Sequence, residues 1–191
     1  MREQLIVHIP ESIADVTLGQ YLEIQKLLER KLDDEAFTER LIMIVSKISK
    51  RDVKKIDVKD YAMIGQAVNA ALNTDSEFTP RFTMKGVEYG MITNFDKISQ
   101  GEYIDLTTST DDSSNLSTIM SVLFRPVVKS DSLGNYEISP YDASQERIKA
   151  MDNAPMSVVN GAMVFFWNLA KELKNYTLKS TEVQEGVKSL Q

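Results

Sequence analysis

The stretch that most constrains the fold is residues 155–176, which holds the single tryptophan of the chain and its densest apolar run. Apolar side chains recur there at three- and four-residue steps, and others widen the apolar arc beyond one stripe. This pattern is typical of a helix that is buried on most sides. Pro155 suits the first turn, where its missing N–H would have no intrahelical partner. The pattern therefore predicts a long C-terminal central helix around which the rest of the chain packs.

Two features of this predicted helix bear on its surroundings. Gly161 costs about 1 kcal/mol relative to alanine in a helix interior, so we expect another element to approach closely there. The aromatic cluster Phe165, Phe166 and Trp167 suits either a partner-binding hot spot or the domain core, and its helical spacing favours the core. Phe165 and Trp167 are nevertheless the partner-contact candidates on this helix. The apolar run is shorter than the roughly 20 residues that span a bilayer, so no membrane span is predicted.

Length and composition limit the remaining possibilities. A chain of 191 residues predicts one globular domain over 1–176, followed at 177–191 by a helical extension or mobile tail. The absence of cysteine excludes disulfides, thiolate zinc sites and a cysteine nucleophile. The net charge of -6 disfavours direct binding to nucleic acid, whose phosphates require clustered cations. The first residues lack the apolar run of a secretion signal, so a cytoplasmic protein is expected.

Periodicity elsewhere predicts helical hairpins and β-hairpins. Thr17 and Gln20 form a capping-box pattern before the first helix. Lys85 and Gly86 are typical of a tight hairpin turn. The pattern predicts a short strand at 4–9, and helices at 18–31, 35–48, 59–72, 101–106 and 144–150, of which the first two are expected to form an antiparallel hairpin. It also predicts a helix that is capped by Asp112 or Ser113, carries an apolar stripe and ends at Phe124, and β-hairpins at 78–92 and 127–139. The predicted fold class is therefore α+β, mainly helical, with helical hairpins packed around the central helix and two small antiparallel β-hairpins.

No pattern of catalytic residues is present. The single histidine, His8, has no partner motif and is interpreted as structural. The glycines form neither a dinucleotide nor a P-loop signature, and there is no GxSxG elbow. The acidic stretch 109–115 lacks the glycine and terminal glutamate of an EF-hand loop. The sequence thus predicts a non-enzymatic protein without catalytic, cofactor-binding or metal-binding residues.

Several phrases of the sequence together resemble a known group of proteins. They include TLGQY at 17–21, GEYIDL at 101–106, LFRP at 123–126 and VFFWNL at 164–169. The chain is similar to a bacteriophage structural and assembly family from phages of the Bacteroidetes type, with members like tail-assembly chaperones or minor virion components. The resemblance extends over about 9–176. It supplies no catalytic residue.

The resemblance implies an assembly protein that binds other phage structural proteins of the tail or head. A tail-assembly chaperone would shield apolar helices of a tail component in the cytoplasm of the infected bacterium. The alternatives are a minor virion protein of the head, tail or interior and, because of the acidic charge, a regulator of a basic host surface. Homo-oligomerisation stays open. Arg125 in LFRP is a further candidate partner contact, although a structural ion pair is the favoured interpretation.

Overall fold

The computed structural model describes residues 6–109 and 113–166. Within these ranges the chain is α+β and mostly helical. Its α-helices are α1 (Leu18–Leu28), α2 (Asp34–Ser46), α3 (Lys50–Val53), α4 (Val58–Leu72), α5 (Gln100–Ser109), α6 (Leu116–Leu123), α7 (Gln145–Ala150) and α8 (156–166). Short 3-10 turns lie at Ile13–Asp15, Phe95–Lys97, Ser113–Asn115 and Met151–Asn153. No helix in the described part of the chain is long and apolar enough to cross a membrane.

The described strands form one four-stranded antiparallel sheet. They are β1 (Arg81–Met84), β2 (Val87–Met91), β3 (Phe124–Ser130) and β4 (Tyr136–Ile138), in that spatial order. Lys85 and Gly86 have φ angles of 50° and 77°, the left-handed conformation that a two-residue hairpin turn requires. Both predicted hairpins are therefore present. The prediction that they are two separate hairpins is wrong, because β2 pairs with β3 and places Gly90 opposite Arg125.

The predicted antiparallel pairing of the first two helices is confirmed. The Thr17 hydroxyl accepts a hydrogen bond from the Gln20 N–H at 3.3 Å, and Gln20 Oε1 accepts one from the Thr17 N–H at 2.9 Å. The buried Gln20 amide also donates to the carbonyl oxygens of Ile44 and Val45, at 2.8 and 3.0 Å. These carbonyls lie in the last turn of α2, where no intrahelical donor is available. One side chain thus begins α1 and fixes α2 against it.

Among the described helices, α6 is the most enclosed, because seven of its eight residues are buried. It is surrounded by α5, α7, the 151–153 turn and β3, and its neighbour Phe124 is the largest fully buried side chain. The prediction of a long central C-terminal helix is wrong for the described residues. Helix α8 buries Val158, Val159 and Ala162 but exposes Val164 and Phe165. A high density of apolar residues indicates that a segment is buried on at least one side. It does not indicate which of several such segments lies at the centre of the domain.

The chain before α1 contacts the chain before α8. The Leu18 N–H donates to the Ala154 carbonyl at 2.9 Å, and the Met156 N–H donates to the Val16 carbonyl at 2.8 Å. This short pairing anchors the beginning of α8 to the beginning of α1. Residues 6–9 form no strand, so the strand predicted over 4–9 is wrong there. The rest of the predicted central helix, 167–176, and the predicted extension at 177–191 lie outside the described residues.

Candidate functional site

An exposed pair of aromatic rings lies where α8 meets the segment before β1. The Phe78 and Phe165 rings stack with centroids 4.6 Å apart and planes 15° from parallel. Their exposed fractions are 42% and 38%, and the neighbouring Val164 is 63% exposed. We call these three residues the aromatic patch. Apolar side chains that cluster on a folded surface, in contrast to scattered single ones, are typical of a protein-binding site.

Gly161 determines where this patch forms. A Cβ added at Gly161 would lie 2.6 Å from the carbonyl oxygen of Glu77 and 2.9 Å from the Cα of Phe78. Only a residue without a Cβ lets the backbone before β1 lie so close to α8. The close approach predicted at Gly161 is therefore confirmed. It brings the Phe78 ring onto Phe165.

The structure separates the members of the predicted aromatic cluster. Phe166 is half-buried and packs against the core, as the core interpretation predicts. Phe165 instead lies on the solvent side of the same helix, because consecutive residues point about 100° apart. It is therefore accessible to a partner. Trp167, the second candidate contact on this helix, lies outside the described residues.

Arg125, the third candidate, is buried in an ion pair. Its Nη2 lies 3.0 Å from Glu102 Oε1, and the two side chains are only 11% and 7% exposed. The other carboxylate oxygen of Glu102 accepts the Ser99 N–H at 2.6 Å, at the beginning of α5. Burial lowers the pKa of the Arg125 guanidinium, and the charge of Glu102 opposes that shift. This geometry is the structural ion pair that the sequence analysis favoured.

A second layer of polar groups surrounds that ion pair. The Tyr141 hydroxyl donates to Asp105, and burial together with this carboxylate raises the pKa of Tyr141 well above its ordinary value. Arg147 donates to the Ser139 hydroxyl at 2.9 Å and pairs with Asp142 at 3.0 Å. The Tyr141 contact holds the segment between β4 and α7 against α5, and the Arg147 contacts join that segment to α7. The polar side chains of this layer bond to one another and join neighbouring elements, so we interpret them as structural.

A cavity of about 30 Å³ lies beside Arg125 and is also lined by Ser121 and Arg147. Arg125 Nε is buried and donates to none of the described residues. A cavity of this size has room for a water molecule. We therefore treat it as part of the same structural cluster. Within residues 6–109 and 113–166, no three His, Asp or Glu side chains lie close enough together to hold a metal ion.

Comparison with protein-family models, curated proteins and solved structures gives no match. The resemblance to a phage assembly family therefore stays a prediction. Phe78 was not among the predicted site residues, because the sequence pattern placed it at the beginning of a hairpin, whereas β1 starts only at Arg81. Glu102 was not predicted as the partner of Arg125 either. Sequence patterns relate residues a few positions apart, whereas Glu102 in α5 and Arg125 in β3 are far apart in the chain. The available signal for Phe78 was Pro80, because proline disfavours a strand interior and so separates Phe78 from the strand that follows.

Proposed function

We propose that this protein is a non-enzymatic bacteriophage assembly protein, and specifically a tail-assembly chaperone that binds another tail component through the aromatic patch. The observation that supports the proposal is the stacked, half-exposed pair of Phe78 and Phe165. The resemblance of the sequence to phage assembly proteins supplies the partner class. Together they suggest that the patch covers an apolar helix of a tail protein until the tail assembles.

The physical basis is the removal of apolar surface from water. Aromatic side chains dominate many protein interfaces because each buries a large area at little cost in conformational entropy. The Phe78 and Phe165 rings hold each other in place, so part of that entropy is already lost in the free protein. A partner helix could then pack its apolar face against a pre-organised surface.

The contact is tested by affinity purification from infected cells late in infection, comparing wild type with Phe165→Ser. The control is Tyr103→Ser, which removes an aromatic ring 54% exposed on α5, away from the patch. We expect a co-purifying tail protein to be lost from Phe165→Ser and kept by Tyr103→Ser, with both variants folded by circular dichroism. Equal recovery of the partner with both variants would contradict the role of the patch.

The chaperone role is tested separately by mass spectrometry of purified virions beside the infected-cell lysate. A chaperone is expected in the lysate and absent from the particle. A fixed copy number in the particle would refute the chaperone role and support a minor virion protein of the head, tail or interior. Recovery with a host protein and with no phage protein would refute both and support a host-directed acidic regulator.

A further inference from the structure

A groove with a cavity volume of about 260 Å³ lies between α1 and α2. Its floor is apolar: Leu27 is buried, and Met43 and Ile44 are half-buried. Methionine adapts its shape to different apolar partners because its side chain is unbranched and polarizable. The floor can therefore accept an apolar side chain from outside.

The rim of the groove is basic. Lys26, Arg30 and Arg40 line it and are exposed. None of the three forms an ion pair with any residue in the described part of the chain. Glu23 is the one carboxylate in the lining, so three cations face one anion. This local excess of positive charge contrasts with the net charge of -6 of the whole chain.

The groove is pre-formed. The Gln20 amide donates to the carbonyl oxygens of Ile44 and Val45, which fixes α2 against α1 at one end of the groove. A fixed groove loses little conformational freedom when it binds. Its volume lies below the roughly 300–1,000 Å³ of typical small-molecule pockets. The size therefore suits one or two side chains of a peptide better than a whole metabolite.

We infer that this groove binds an acidic amphipathic segment of a partner protein. An apolar side chain of that segment packs on Leu27 and Met43, while its Asp or Glu residues pair with Arg30 and Arg40. Guanidinium groups suit this role, since each can form two parallel hydrogen bonds with one carboxylate. An amphipathic helix lying in a groove between two helices is a common mode of peptide recognition.

The test is selection of binding peptides from a yeast-displayed library of random peptides, with the full chain as bait. Peptides that also bind the Arg30→Gln/Arg40→Gln variant are removed. We expect the remaining peptides to carry Asp or Glu around a large apolar residue. Fluorescence anisotropy should give at least about tenfold weaker binding to that variant, and binding should weaken with added salt. The control Lys59→Gln/Lys149→Gln, which removes two exposed cations outside the groove, should bind like wild type.

The site is checked by methyl chemical shifts in nuclear magnetic resonance spectra. Leu27, Met43 and Ile44 should shift when a selected peptide is added. Three results would overturn the inference: no peptide whose binding depends on the two arginines, selected peptides without a preference for acidic residues, or shifts confined to another surface. Self-association of the protein that is lost in Arg30→Gln/Arg40→Gln would instead assign the groove to a second copy of the chain.

Discussion

Replacing Gly161 with alanine tests the packing on which the aromatic patch depends. Helix propensity alone favours alanine over glycine by about 0.8–1 kcal/mol in a helix interior. The added Cβ would, however, lie 2.6 Å from the Glu77 carbonyl oxygen. The obstacle is backbone, which cannot rotate aside as a flexible side chain can. The segment before β1 must therefore move by several tenths of an ångström or more.

Overpacking of this kind costs about 1–3 kcal/mol, and backbone obstacles belong in the upper part of that range. Subtracting the gain in propensity leaves a net loss of about 1–2 kcal/mol in the free energy of unfolding. With a typical urea dependence for a small domain, the midpoint of unfolding should fall by about 0.5–1 M. The displacement of Phe78 should also disturb its stacking on Phe165.

Gly65→Ala is the matched control, because Gly65 is also in a helix, α4. Its added Cβ would lie 3.1 Å from the Thr38 Cγ2 atom, a side-chain methyl that can shift slightly. We expect Gly65→Ala to leave stability unchanged or raise it by up to about 1 kcal/mol. Urea denaturation followed by circular dichroism compares both variants with wild type. If Gly161→Ala were as stable as wild type, the backbone before β1 could not lie against α8 as described.

Three further predictions concern buried polar groups. Arg125→Met and Glu102→Gln should each cost about 3–5 kcal/mol in urea denaturation, because each leaves an unpaired buried group. The double variant Arg125→Met/Glu102→Gln should cost far less than the sum of the two, and additive losses would contradict the ion pair. Gln20→Leu should lower the free energy of unfolding by about 2–3 kcal/mol, since two carbonyl oxygens of α2 lose their donor. The exposed substitution Lys59→Gln is the control, and an equally small loss of stability in both variants would argue against those hydrogen bonds. The raised pKa of Tyr141 means that stability present below about pH 10 is lost as pH rises further, because the tyrosine ionises first in the unfolded state. Tyr141→Phe should therefore lose less stability between pH ~8 and ~11 than wild type, and equal slopes of the urea midpoint against pH would refute this.

Local signals in the sequence were sufficient for much of the secondary structure. Thr17 and Gln20 predicted the beginning of α1 because a capping box uses only residues three positions apart. Lys85 and Gly86 predicted the first hairpin because the turn itself requires left-handed backbone. Gly161 predicted a close neighbour because a glycine in a helix interior is costly without a reason. Each of these signals lies within a few residues of the feature it specifies.

Contacts between distant segments could not be predicted in the same way. The pairing of β2 with β3 joins strands separated by α5 and α6, so the single sheet was mistaken for two hairpins. The same distance hid Glu102 as the partner of Arg125. The enclosure of α6 depends on which elements surround it, whereas its sequence shows only a short apolar stripe interrupted by Ser117, Thr118 and Ser121. Apolar content predicted burial for both α6 and α8, but it did not indicate which of the two helices is the more enclosed.

The sequence by itself determined the α+β class, the predominance of helix, the caps and turns, and the exclusion of cysteine chemistry. Only the tertiary structure decided that Phe165 is exposed beside Phe78 while Phe166 packs on the core. It alone also decided that Lys26, Arg30 and Arg40 border one groove. The physical reason is that backbone propensities and caps act over a few residues, whereas exposure depends on which surfaces of distant segments cover one another.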